Sequence, residues 1–142
     1  MIRGHADMAV IPGQMLARLT IMAAFQGCED IEFYCQDGKG AVRYFRYTDG
    51  QTDEYEQIFT QDKKGCGKLQ AVLDFPEPIM EGEEMLGCDG VTYTLTLFKN
   101  GTEMTWSWWC DAPKGWEAVV KASNALLKAA KVNDRVRIRQ AQ

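Results

Sequence analysis

The residues of this sequence that could carry out chemistry are few and widely spaced. His5 is the only histidine, so a Cys-His or Ser-His-Asp site would have to use this one residue as its base. It lies in a segment expected to be a loose N-terminus, which favours an exposed residue over a catalytic one. We therefore predict no catalytic residue, although an enzyme that uses carboxylates and tyrosines stays an open alternative.

Metal and phosphate sites are equally poorly supported. The five cysteines lack the Cys-x-x-Cys spacing of zinc sites, and their odd number favours free thiols in a reducing, cytoplasmic compartment. The acidic segment 49–54 does not follow the EF-hand ligand pattern, so a solvated loop is expected. Gly65 and Gly67 lack the spacing of a phosphate-binding loop and predict a turn. We expect no metal and no cofactor.

The aromatic residues of the second half are the most informative group. Tyr93, Trp106 and Trp108 fall on one face of a predicted hairpin, and Trp116 begins the helix expected to cover that face. These rings are interpreted first as the main core. The alternative is an apolar pocket, lined also by Leu95, between the sheet and the helix.

Trp109 is predicted to lie on the opposite face of the same hairpin, among hydroxyl side chains. A tryptophan in that setting favours contact with another protein or another subunit, since exposed aromatic residues are typical of interfaces. The hydroxyl residues of this candidate binding face are Thr92, Thr94, Thr96, Thr105 and Ser107.

The hairpin itself is predicted by the pair Asn100-Gly101, which suits a type I′ turn between two alternating segments. With that turn, facing residues have numbers that sum to about 201 in this register. Tyr93 then faces Trp108, and Thr94 faces Ser107. One face is apolar and aromatic, and the other is polar.

A three-stranded meander is predicted around two Asp-Gly pairs, at 37–38 and 49–50. If both form two-residue turns, the residue numbers of each facing pair add up to about 75 in the first hairpin and to about 99 in the second. Arg43 would then lie between Glu32 and Glu56, and Arg46 between Glu29 and Asp53, as favourable cross-strand pairs require. The apolar side chains on the face opposite to Arg43 are Ile31, Phe33, Val42, Tyr44 and Tyr55.

Four other segments complete the predicted elements. Alternation over 69–75 predicts a strand, and apolar spacing over 115–131 predicts an amphipathic helix. Residues 15–25 suit a strand by alternation and a helix by composition, and the bracketing Gly13 and Gly27 favour a helix. Val136 and Ile138 alternate with arginines and predict a short edge strand or a loose tail.

Together these elements predict a single α+β domain over residues 1–142. Its expected architecture is a meandering antiparallel sheet of five to seven strands packed against a C-terminal amphipathic helix. The order of elements resembles the helix-grip architecture, in which a curved sheet wraps a C-terminal helix. This resemblance is one of topology and implies an apolar cavity between sheet and helix.

The charge distribution limits the choice of partner. The net charge is −4, but residues 29–89 carry 15 acidic and 6 basic residues, and residues 114–142 carry 7 basic and 2 acidic residues. Overall acidity argues against nucleic acid, although the basic end could meet an acidic partner or the acidic part of the sheet. No apolar run is long enough to span a membrane, and the first residues do not resemble a secretory signal.

These observations predict a non-catalytic protein-binding domain that meets a partner or a second copy through the face carrying Trp109. A small bacterial immunity or inhibitor-type protein is the class we expect, from its size and acidity. The alternative is a carrier of a small apolar ligand, bound in a cavity lined by Tyr93, Leu95, Trp106, Trp108 and Trp116.

Overall fold

A computed structural model of the protein describes residues 13–23, 27–47, 54–75, 79–84 and 90–141. Within them the chain forms nine strands and two helices. In chain order these are β1 (Gln14–Ala23), β2 (Gly27–Gln36), β3 (Lys39–Tyr47), β4 (Glu54–Gln61), α1 (Lys63–Leu73), β5 (Gly82–Glu84), β6 (Val91–Lys99), β7 (Thr102–Trp109), β8 (Asp111–Ala112), α2 (Glu117–Ala129) and β9 (Arg139–Gln140).

Seven strands form one sheet in the order β4-β3-β2-β1-β6-β7-β5. All neighbours are antiparallel except the short β5, which runs parallel to β7 at the edge. The strands β8 and β9 form a separate parallel pair. The prediction of an α+β domain built on a meandering antiparallel sheet is confirmed.

The sheet has two faces of different character, because successive side chains of a strand point to opposite sides. The inner face, which carries Leu19, Phe33 and Trp106, shares one buried apolar cluster with the two helices. From α1 that cluster takes Cys66, Leu69 and Leu73, and from α2 it takes Val119, Ala122, Leu126 and Leu127. We call the opposite side of the sheet the outer face.

The hairpin between β6 and β7 has the predicted register. Asn100 and Gly101 have φ angles of 53° and 75°, which is the left-handed conformation that a type I′ turn needs at both central positions. Tyr93 faces Trp108 and Thr94 faces Ser107, as expected. Turn chemistry and alternation agree here, so the local sequence was sufficient.

The first meander is confirmed in its first hairpin and corrected in its second. Glu32 faces Arg43 through a two-residue turn at 37–38, as predicted. Between β3 and β4, however, Arg43 faces Ile58 and not Glu56, so the register is shifted by two residues. Tyr47 faces Glu54, which does not fit the register expected from a two-residue turn at 49–50. Residues 49–50 and Asp53 lie outside the described residues.

The segment 15–25, for which a helix was favoured, is the strand β1 up to Ala23. It lies in the middle of the sheet and pairs with both β2 and β6. Its backbone pairs along both edges, and its alternating apolar side chains are buried on the inner face. These interactions outweigh the weak helix propensity of its composition. Phe25 lies outside the described residues.

The segment 69–75, for which a strand was predicted, belongs instead to the helix α1 up to Leu73. The side chain of Asp62 accepts a hydrogen bond from the Gly65 amide at 2.8 Å and caps the first turn. Cys66, Leu69 and Leu73 are buried at helical spacing, whereas Ala71 is exposed. Gly65 and Gly67, for which a turn was predicted, therefore belong to the helix.

The predicted C-terminal helix is present as α2, shorter at both ends than expected. Its resemblance to a helix-grip element, and the extent of the domain over residues 1–142, stay predictions. No helix of the described segments is long and apolar enough to cross a membrane.

Candidate functional site

The outer face carries a line of side chains that crosses five neighbouring strands. Tyr47, Cys28, Met22, Thr92 and Trp109 are consecutive partners in register, from β3 through β2, β1 and β6 to β7. We call these five residues the outer row. Met22 is 52% exposed and the other four are partly exposed. Both helices lie on the inner face, so neither covers this row.

Next to the outer row lies a second line, which is rich in hydroxyl groups. Asp30, Thr20, Thr94 and Ser107 are partners across β2, β1, β6 and β7. The hydroxyl oxygens of Thr94 and Ser107 lie 3.0 Å apart, within hydrogen-bond distance. This line can offer hydrogen bonds to a partner that covers the outer row.

Asp30 occupies an unfavourable environment in this second line. Burial raises the pKa of its carboxyl group, and the nearby Glu32 raises it further, whereas a hydrogen bond with Thr20 and the charges of Arg18 and Arg43 lower it. The net pKa shift is upward. Its Oδ1 atom is buried and has no hydrogen-bond partner among the described residues. Such a group gains stability from a donor or from protonation.

The third line of the outer face holds an ionic network. Arg43 donates through Nη1 to Glu32 at 2.9 Å and through Nε to Glu56, and Tyr34 donates to Glu32 at 2.9 Å. The guanidinium also lies over the ring of Phe45. The Arg43 and Glu56 side chains retain only 9% and 4% of their exposure. Arg43 pairs with both carboxylates, although Glu56 Oε1 is buried without a hydrogen-bond partner among the described residues. The network therefore joins β2, β3 and β4.

The predicted site residues separate onto the two faces. Thr92, Thr94, Ser107 and Trp109 come together on the outer face, as the alternation of the hairpin indicates. Tyr93, Trp106, Trp108 and Trp116 lie on the side of the helices, where Trp106 and Trp108 are fully buried. Tyr93 stacks on Trp108 with ring centroids 5.6 Å apart, and Trp116 meets Trp108 edge to face at 6.0 Å.

Three members of the outer row were missed by sequence reasoning. Met22 could not be placed, because its segment was interpreted as a helix. Cys28 and Tyr47 face each other in the predicted register of the first hairpin, but nothing in the sequence placed that hairpin beside the second one. The strand β1 joins them, because it pairs with β2 along one edge and with β6 along the other.

At the same end of the sheet, on its inner side, a latch joins the C-terminal segment to the strands. Arg135 donates to Glu29 at 2.6 Å and to the Tyr44 hydroxyl at 2.7 Å, and Tyr44 donates to Glu29. Burial raises the pKa of Glu29, but hydrogen bonds from Arg135 and Tyr44 outweigh it, so the net pKa lies below the ordinary value.

The titration behaviour of the latch favours a structural role. Burial and the hydrogen bond to Glu29 raise the pKa of Tyr44 to about 12. At neutral pH the carboxylate is therefore ionised and the tyrosine is protonated, which holds the C-terminal segment in place. The acidic sheet and the basic end of the chain meet here, one of the two alternatives left open by the charge distribution.

Across the part of the chain that the structure describes, no group of three or more histidine, cysteine, aspartate or glutamate side chains is placed to hold a metal ion. His5 and Cys88 lie outside that part. The outer row is therefore the arrangement with the clearest means of recognising another molecule.

Comparison of the chain with protein-family models gives no match, and comparison with curated proteins also gives none. We therefore infer function from the geometry and chemistry of the described surfaces.

Proposed function

We propose that this protein is a non-catalytic protein-binding domain, and that the outer row is the centre of its binding surface. The observation that carries the proposal is the alignment of Tyr47, Met22 and Trp109 across the helix-free face of the sheet. Tyrosine, tryptophan and methionine are enriched at protein interfaces relative to the rest of the surface.

The dimensions of the outer row support this assignment. Four interstrand steps of about 4.8 Å separate β3 from β7, so the row is about 19 Å wide. A standard interface buries roughly 800 Å² on each partner, a patch about 28 Å across. The outer row therefore fits the centre of such a patch, with Thr94 and Ser107 supplying hydrogen bonds beside it.

The sheet beneath the row supports binding in a second way. The ionic network around Arg43 ties β2, β3 and β4 together, and the Asn100-Gly101 hairpin fixes β6 and β7. A surface held on rigid strands loses little conformational entropy when a partner docks. The proposed partner therefore meets a preformed surface.

A small bacterial immunity or inhibitor-type protein remains the class we propose, with a helix-grip-like arrangement of sheet and α2. Its size and acidic charge support this class. The cysteines at 28, 35, 66 and 110 are free thiols, which supports a reducing, cytoplasmic location.

The carrier hypothesis gains less support from the same contacts. Leu95, Trp106 and Trp108 are fully buried in the core and have no contact with solvent. A ligand would have to displace packed side chains to reach these rings. The described conformation therefore favours the interpretation of these rings as core, and we do not propose a ligand for them.

Affinity capture from the cells that produce the protein tests the binding proposal. The variants are Met22→Glu and Trp109→Ala in the outer row, and the matched control is Tyr55→Ala, an exposed aromatic residue outside the row. We expect the wild type and the control to retain the same discrete partner, and both row variants to lose it about tenfold. Quantitative mass spectrometry of the captured proteins measures the loss.

Thermal unfolding of the same variants separates binding from folding. We expect Trp109→Ala to leave the melting temperature within a few degrees of the wild type, because the side chain is partly exposed. A strong loss of stability would instead return Trp109 to the core. Equal capture by all four proteins would overturn the proposal.

A further inference from the structure

The last described segment, residues 132–141, is held firmly on the fold although it contains only two residues of regular structure. We call it the arginine strap. Asn124 of α2 donates to the Ile138 carbonyl at 3.0 Å and accepts from its amide at 2.9 Å. The Ala141 amide donates to the Ala112 carbonyl at 2.7 Å, and β9 pairs with β8.

The strap is apolar on the side that faces the fold and basic on the side that faces solvent. Val132 and Ile138 are buried, whereas Arg137 and Arg139 are exposed. Arg135 is engaged in the latch with Glu29. Neither the Arg137 nor the Arg139 side chain makes a hydrogen bond or ion pair with any described residue, so both guanidinium groups are available.

Two open grooves adjoin these arginines, each with a volume of about 560 Å³. Arg137 and Arg139 line both grooves. One groove is lined also by Val120, Asn124, Ile138, Gln140 and Asp111, and the other includes Ile21, Val91, Tyr93, Val136 and Asp134. Apolar and charged groups therefore lie next to each other in both.

The charge of this end of the chain indicates the sign of the partner's charge. Residues 114–142 carry 7 basic and 2 acidic residues, in a chain of net charge −4. Lys121 and Lys128 lie on the exposed side of α2. Because surface charges steer association with molecules of opposite sign, this basic end attracts an acidic partner.

We propose that the arginine strap is a docking surface for an acidic peptide segment of a partner protein, in which carboxylate side chains alternate with apolar ones. Side chains two residues apart on an extended chain are separated by about 6.6 Å, so Arg137 and Arg139 match two carboxylates at the same spacing on the partner. Each guanidinium can bind a carboxylate through two parallel hydrogen bonds.

The grooves favour a peptide over a nucleic acid. Val120, Ile138 and Val136 offer apolar walls to the side chains between the carboxylates. Asp111, Asp134 and Glu29 lie in the same grooves and disfavour a high density of negative charge. A peptide whose carboxylates are separated by uncharged side chains therefore fits better than a continuous line of phosphates. This docking surface is separate from the outer row, and the proposal holds whether or not that row binds a partner.

Fluorescence anisotropy with a defined probe tests the proposal. The probe is a short fluorescein-labelled peptide in which glutamate alternates with valine, and the control peptide has lysine in place of glutamate. The test variant is Arg137→Glu with Arg139→Glu. The matched control, Lys63→Glu with Lys64→Glu, makes the same change of net charge at two exposed positions of α1. Circular dichroism verifies that each protein is folded.

We expect the wild type to bind the glutamate peptide and not the lysine peptide at low ionic strength. The strap variant should bind about tenfold more weakly, and the Lys63 and Lys64 control should stay within about twofold of the wild type. If the strap variant does not fold, Arg137→Gln with Arg139→Gln tests the same contacts and should also weaken binding.

Three results would overturn the proposal. The first is no binding of the glutamate peptide by the wild type, and the second is an equal loss in the strap variant and the charge-matched control. The third is displacement of the probe by a single-stranded DNA oligonucleotide at lower concentration than by unlabelled peptide. Because none of these variants alters the outer row, the outcome is independent of the capture experiment on Met22 and Trp109.

Discussion

The two faces of the sheet are best compared through residues that are neighbours in the chain. Trp108 and Trp109 are the same residue type on the same strand, yet Trp108 is 0% exposed on the inner face while Trp109 is partly exposed on the outer face. Glu29 and Asp30 are also adjacent, and their pKa values shift in opposite directions. One step along a strand therefore changes both the energetics and the role of a side chain.

The comparison shows what each face does. The inner face is apolar and packs against both helices, so its residues supply most of the stability. The outer face keeps charged and hydroxyl groups under partial burial, held by the network around Arg43. A rigid, polar face is suited to recognition, because its side chains are not packed into the core and stay available for contacts with another protein.

The largest expected difference is between the two adjacent tryptophans. Trp108→Ala should lower the free energy of unfolding by about 4 kcal/mol, because it leaves a cavity in a close-packed core. Trp109→Ala should lower it by about 1 kcal/mol or less. Urea unfolding followed by circular dichroism measures both values. Equal losses in the two variants would show that the two tryptophans contribute equally to stability, contrary to the difference between the faces.

A second difference is expected between two arginines of β3, because Arg43 lies on the outer face and Arg46 on the inner face. Arg43→Met should lower the free energy of unfolding by about 3 kcal/mol, because Glu32 and Glu56 then remain buried without their partner. Arg46→Met, at an exposed position, should change it by about 0.5 kcal/mol. The same unfolding measurement applies, and Glu32→Gln with Glu56→Gln should restore part of the loss. Similar losses for both arginines would show that the network contributes little.

Asp30→Asn should stabilise the protein at neutral pH, by at most about 1 kcal/mol. The folded pKa of Asp30 lies above the unfolded value of 3.8, so the folded state is penalised above the folded pKa and relieved as the pH falls through it. The gain from asparagine should therefore disappear in acid. Unfolding curves of both proteins across a pH series measure the difference, and a destabilised variant at neutral pH would contradict this prediction.

Glu29→Gln should have the opposite sign and the smallest effect, a loss below about 1 kcal/mol at neutral pH, because its partner Arg135 is half exposed and solvent screens the pair. The folded pKa of Glu29 lies below the unfolded value of 4.5. Its contribution is therefore present above pH 4.5 and is lost as the pH falls through the folded value. The same pH series, repeated at high salt, should show a smaller loss. A stabilised Glu29→Gln variant at neutral pH would contradict the account.

Local chemistry predicted some elements of the fold well. Asn100-Gly101 determined its hairpin and register, because the turn type leaves little freedom in how the two strands pair. The pair Asp37-Gly38 did the same for β2 and β3. These predictions succeeded where the turn and the strands gave one consistent answer.

Long-range packing decided the elements that were missed. The alternation of Leu69, Ala71 and Leu73 fits a strand, yet the Asp62 cap and the burial of Cys66 select a helix. In β1, the two neighbouring strands outweigh a helix-forming composition. The position of β1 decides which residues form the outer row. Trp109 and its hydroxyl neighbours were therefore predicted, while Met22, Cys28 and Tyr47 were not.

The most direct test of the outer row is site-specific photo-crosslinking in the cells that produce the protein. A benzophenone side chain replaces Met22 in one variant and Tyr55, outside the row, in another. The account predicts one discrete crosslinked protein from position 22 and none from position 55. No crosslink at position 22, or the same products from both positions, would contradict the assignment of this face to a partner.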